Sequence, residues 1–144
     1  LLAVAGKQTP LEHRASLASL YQHLGIDPTA ADTYAVINER AANDDPDVLA
    51  WIEKAAIDLR WTVHLIETIF DPQTVILSGG APEVLARKLV QSIEPLLPSN
   101  SNRSDRLLPR LQLGITDPWA VARGAAAGPI VHAFDPRFSA ILKS

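Results

Sequence analysis

The chain has 144 residues, a formal net charge of −3, 47% hydrophobic and 20% charged residues, and neither cysteine nor methionine. That length suits one domain with a buried core, and the composition is that of a globular protein. The acidic balance speaks against this segment gripping DNA or RNA through phosphates, and the missing cysteines exclude disulfides, thiolate nucleophiles and cysteine zinc sites.

In chain order, Leu1 to Ala5 reads as the end of a strand and Gly6 to Pro10 as a turn. Leu17, Leu20, Tyr21 and Leu24 keep helical spacing before Gly25, which predicts one helix over Leu11 to Leu24. A second helix, capped at Asp27-Pro28 or Thr29, is expected to reach Ala42. Asp45 as N-cap, Pro46 at the first helical position and Asp47 in the first turn open the longest helix. Its apolar residues from Val48 to Phe70 recur every three or four positions.

Thr74 to Leu77 is short and β-branched, and predicts a buried strand. Ser78-Gly79-Gly80 follows, then a fourth helix from Pro82 that Pro95 and Pro98 close. Strand, glycine turn and helix start in that order aim backbone N–H groups at one point, a candidate phosphate cradle. Ser99 to Asp105 is polar loop, and the adjacent Arg103, Arg106 and Arg110 are expected on a solvated surface, with an anion site as the alternative. Leu111 to Ile115 predicts a second strand. Asp117-Pro118 caps a last helix through Phe134, with the small-residue run Gly124 to Gly128 and a kink expected at Pro129. Asp135 to Ser144 reads as a tail, and no internal repeat is found. Helices alternating with a few short strands predict an α/β layer arrangement.

Candidate chemistry is sparse. His13, His23, His64 and His132 show no i, i+4 pairing, so no metal site is expected on them, and His64 reads as structural. Asp44, Asp45 and Asp47 beside Pro46 are explained as capping residues rather than a cation site. Ser16 and Ser19 have no general base nearby. Glu12 either complements a helix N-terminus or accepts hydrogen bonds from a polyol, and the residues alone leave both open. No apolar run approaches the ~20 residues needed to span a bilayer, and no signal-peptide pattern opens the chain. With Leu1 first and no methionine anywhere, the chain is read as a piece of a longer protein.

Four pieces, Pro10-Leu11-Glu12, Asp71-Pro72, Val75-Ile76-Leu77-Ser78-Gly79-Gly80 and Gly124-Ala125-Ala126, stand in an order and spacing that resembles the C-terminal lobe of the ROK family of sugar-responsive transcriptional repressors and sugar kinases. The resemblance implies the C-terminal lobe of an actin-like ATPase (ribonuclease-H-like) fold, helix-rich with few short strands. It implies sugar binding by Glu12, nucleotide contact at Gly79 and Gly80, a homodimer or larger assembly, and a cytoplasmic location. The family's cysteine loop is missing ahead of Leu11, so zinc is not expected, and Ser78 stands where the family has the first of three glycines. The family's catalytic aspartate and first phosphate turn belong upstream of the matching region, so no catalytic residue is expected here and DNA would be reached only through an N-terminal domain. The leading expectation is the effector-binding lobe of a regulator, with a sugar kinase using Mg-ATP second and an α/β interaction module third.

Overall fold

The computed structural model describes residues 9–99, 102 and 105–134. The predicted strand at Leu1 to Ala5, Gly6 to Gln8 of the turn, Arg103 and the tail from Asp135 lie outside them. The elements run α1 (Glu12–Ala15), α2 (Leu17–Leu24), α3 (Thr33–Ala42), α4 (Pro46–Phe70), β1 (Val75–Gly79), α5 (Glu83–Ile93), β2 (Leu111–Thr116) and α6 (Ala120–Phe134). The described residues form a mixed α/β arrangement with one small parallel sheet.

The 25 residues of α4 span about 38 Å and form the axis of the domain. The Asp45 carboxylate accepts the backbone N–H groups of Asp47 and Val48 at 3.0 and 3.2 Å, and Pro46 follows where no N–H is needed. Arg40 donates to both oxygens of Asp45 at 2.9 and 3.1 Å, tying the end of α3 to the start of α4. Val48, Ile52, Ala55 and Val63 then face Leu20 of α2, Ile37 of α3 and Leu85, Leu89 and Ile93 of α5 in one core. Asp71, at a φ of 43°, ends the helix in the left-handed region.

Three boundaries differ from the sequence reading. The first helix is broken at Ser16, whose backbone is extended; its hydroxyl caps α2 by accepting the Ser19 N–H at 3.2 Å. A serine side chain here competes with the helical ladder and wins. The second helix starts at Thr33 rather than near Asp27, because Asp27 closes a turn instead: its carboxylate accepts the Thr29 N–H at 2.8 Å and the Thr29 hydroxyl at 2.7 Å. The first strand extends through Gly79 and is not buried on both faces. Val75 and Leu77 pack on the core, whereas Ile76 is 56% exposed.

β1 and β2 pair in parallel, Val75 with Leu111 and Leu77 with Leu113, with an irregularity before Gly79 meets Thr116. Gly114 permits this approach, since a Cβ there would lie 2.6 Å from Ile76 Cγ2. The outer face of the pair presents Ile76 and Ile115 to solvent. α6 continues past Pro129, and Val121 to Pro129 are exposed along it.

Arg110 corrects the expectation of a solvated surface. Its guanidinium donates to both oxygens of Glu67 at 2.7 and 2.6 Å and to the Leu97 carbonyl at 2.7 Å. The Glu67 side chain is 0% exposed. A buried carboxylate needs a charge partner, and Arg110, just ahead of β2, supplies it. Arg106, by contrast, stays at the surface, where it donates to the Gln73 carbonyl. Glu67→Ala is expected to destabilise the fold by about 3–5 kcal/mol, because it strands a buried cation, while Glu67→Met combined with Arg110→Leu recovers most of that loss. Urea midpoints of the two variants check this.

Hydrogen bonds from Thr29 hold the Asp27 carboxyl below its ordinary 3.8, and the Arg40 side chain does the same for Asp45. A depressed carboxyl contributes stability above its unfolded value and loses it as pH falls through its folded value. Stability is therefore expected to drop on acidification below pH 3.8. Asp45→Asn, which keeps a cap but not the charge, should flatten that slope in denaturant titrations at stepped pH.

Candidate functional site

Both strands point their C-terminal ends the same way, at a cleft of about 200 Å³. In parallel sheets this is where ligands bind, because side chains thin out beyond the strand ends and helix starts converge there. Ser78 and Gly79 of β1, Gly80 and Thr116 form its polar side. Trp51 and Leu59 of α4, Leu85 and Leu89 of α5, and Leu17 of α2 form an apolar wall. Among the described residues no charged side chain lines it.

Gly79 and Gly80 differ in what the fold asks of them. Gly79 has a φ of 143°, which a residue with a Cβ rarely adopts, and its carbonyl accepts the Asp117 N–H at 3.1 Å. At Gly80 an added Cβ would meet nothing within 4 Å, and its φ is not in the left-handed region. The backbone therefore requires glycine at 79 and not at 80. A glycine that the fold does not need, at the mouth of a cleft, leaves room for another molecule to approach the backbone.

The charges around this turn are paired. Glu83 opens α5 and pairs with Arg87, and Asp117 pairs with Arg123 while accepting the Trp119 N–H at 2.8 Å. Burial pushes the Tyr34 phenol of α3 up, and the charges of Asp117 and Glu83 push it the same way. The expected cradle for a bare phosphate thus has two neutralised ion pairs near it and uncharged walls. Those walls suit a flat neutral ring better than an anion.

Glu12 is exposed on the short helix α1 and does not line the cleft. It sits one helical turn before Ala15, which does line it. Among the described residues its carboxylate has no ion-pair partner, while its carbonyl accepts the Ser16 hydroxyl. Ser19 donates to the Ser16 carbonyl and accepts the Trp51 indole N–H at 3.0 Å, which is a packing role. Asp44 meets Lys88 at 2.5 Å and Asp47 lies 3.6 Å from Arg40, so the acidic trio is used in capping and pairing. His64 packs edge-on against Trp61 with ring centroids 6.0 Å apart. Among the described residues no three histidine or acidic side chains gather to hold a metal ion.

No family model, curated protein or solved structure matches this chain. The sequence reading marked Gly79 and Gly80 but missed the opposite wall, since Trp51, Leu59 and Leu89 carry the same helical spacing as core residues. Nothing in a periodic pattern tells a core position from one facing a cleft.

Gly79→Ala is expected to cost about 1–3 kcal/mol through backbone strain, whereas Gly80→Ala should leave stability within about 0.5 kcal/mol. Denaturant unfolding of the two variants separates these cases.

Proposed function

We propose that this chain is the effector-binding and oligomerising lobe of a ROK-type transcriptional regulator, built on the C-terminal lobe of an actin-like fold. The observation that carries the reading is a cleft of about 200 Å³ at the ends of two parallel strands, lined by Gly79 and Gly80 and by Ala15 of the helix that bears Glu12. Glu12 accepts hydrogen bonds from sugar hydroxyls, and the effector biases two arrangements of this lobe against its neighbour. DNA is reached through a separate N-terminal domain, in keeping with the net charge of −3. Zinc has no part in this reading, and the protein works in the cytoplasm. No helix among the described residues is long and apolar enough to cross a membrane.

The uncovered apolar face supports assembly. Ile76 and Ile115 on the sheet, 56% and 67% exposed, lie beside Val121 of α6, 72% exposed. Such a face favours burial against another lobe or another copy.

A second reading is favoured by the uncharged walls of the cleft, which suit an adenine ring. In it the lobe belongs to a sugar kinase, Gly79 and Gly80 contact ATP, and the phosphates and Mg²⁺ are clamped by groups outside this chain.

Thermal melting of the full-length protein against hexoses and hexose phosphates, with and without Mg-ATP, separates the readings. A ligand at about 100 times its Kd contributes about 2.7 kcal/mol and raises Tm by several degrees. The regulator reading expects a rise with sugar alone that is lost in Glu12→Gln and indifferent to Mg-ATP. A rise with Mg-ATP that Gly80→Ala abolishes, together with sugar turnover, overturns it in favour of the kinase.

A further inference from the structure

A second cleft, of about 290 Å³, shares only Trp51 with the first. His13, Arg14, Ser19, His23 and Lys54 complete its lining, and among the described residues no carboxylate is part of it. In a chain with a net charge of −3, a cleft lined by cations and neutral groups alone is a departure from the rest of the molecule. Its lining draws on α1, α2 and α4, which the core already holds together, so the groups are positioned by packing rather than by a loop.

Arg14 is the distinctive member. Its Nη1 donates to the Asp58 carboxylate at 2.8 Å, while Nε and Nη2 are buried and have no acceptor. Buried donors without acceptors are rare, and each calls for an account. The Nε and Nη2 groups form one edge of the guanidinium, two parallel N–H bonds whose spacing matches two oxygens of a phosphate or carboxylate. The side chain is 16% exposed and lines the cleft. Lys54 stands one turn before Asp58 on α4, is exposed, and has no ion-pair partner among the described residues. The two imidazoles complete the rim, with His23 Nε2 donating to the Asp47 carbonyl at 3.1 Å.

We propose that this cleft binds a small phosphate-bearing anion, with the Nε–Nη2 edge of Arg14 forked onto two phosphate oxygens and the Lys54 ammonium meeting a third. Binding turns that edge into the cleft while Nη1 keeps its bond to Asp58. A phosphate is favoured over a carboxylate because it offers a third oxygen to Lys54 once two are held by the Arg14 fork. The site is independent of the sugar and nucleotide readings of the first cleft.

Isothermal titration of the full chain with inorganic phosphate, and separately with glycerol phosphate as a monoester, at constant ionic strength tests the proposal. Saturable binding of either anion in the millimolar range or tighter is expected, weakened at least about fivefold by Lys54→Gln and by Arg14→Lys. Arg14→Lys keeps a cation beside Asp58 and removes only the fork; the exposed Lys54→Gln carries the test should that variant fold poorly. No saturable heat from either anion up to about 50 mM, or an affinity that Lys54→Gln leaves unchanged, overturns the proposal.

Discussion

The buried pair between Glu67 and Arg110 is the constraint on which the rest of the structure depends. Glu67 sits near the end of α4 with its carboxylate wholly enclosed, and the guanidinium meeting it stands immediately before β2. Two bidentate bonds fix the direction as well as the distance, and the third bond, to Leu97, draws in the chain leaving α5. The hydrogen bond to the Glu67 carboxylate in turn pushes the Arg110 guanidinium above its ordinary value. Three segments distant in sequence are thereby held at one point. An apolar contact of the same size would let them slide, whereas a fork on a carboxylate has one geometry.

From that anchor the placement of the first cleft follows. β2 begins at a fixed point on α4, β1 pairs with it in parallel, and both strands end together beyond Gly79 and Thr116. α5 returns along α4 and closes the far wall with Leu85 and Leu89. The cleft is thus bounded by backbone at the strand ends and by helix faces opposite, with its polarity confined to one side. Arg14 and Asp58 make a smaller version of the same device between α1 and α4, except that only one nitrogen of the guanidinium, Nη1, donates. The difference between the two arginines separates an anchoring pair from a group with binding capacity left over.

Sequence reasoning recovered the elements whose causes are local. The Asp45-Pro46 start of α4, the Gly25 stop of α2, at a φ of 64°, and the strand at Val75 to Leu77 each follow from residues within a few positions. The break at Ser16 was also local, yet it was hidden, because the apolar stripe of Leu17, Leu20, Tyr21 and Leu24 does not mark where its helix begins. Arg110 was illegible for the opposite reason. Its partner lies 43 residues away, and an arginine beside a polar loop looks solvated until the fold brings a buried carboxylate to it. Both walls of the clefts suffered the same fate, since Trp51 and Lys54 gain meaning only from what stands across from them. The glycine pair was visible throughout; that the backbone needs only the first of the two was not.

The outer face of the sheet and α6 give the domain its second side. Ile76, Ile115 and Val121 are the residues a folded chain normally hides, and within the described residues they remain exposed. A cleft at the strand ends and an uncovered apolar face, which meet at Ser78 and Gly79, are the parts that the proposed coupling of binding to assembly needs. The most direct test of the account is a backbone amide shift map of the full chain during titration with a panel of hexoses and then with adenosine. Saturable shifts concentrated at residues 12–17 and 78–81 are predicted for at least one of these ligands. Saturable shifts confined to other elements, or none from any ligand, would contradict a binding site at the strand ends.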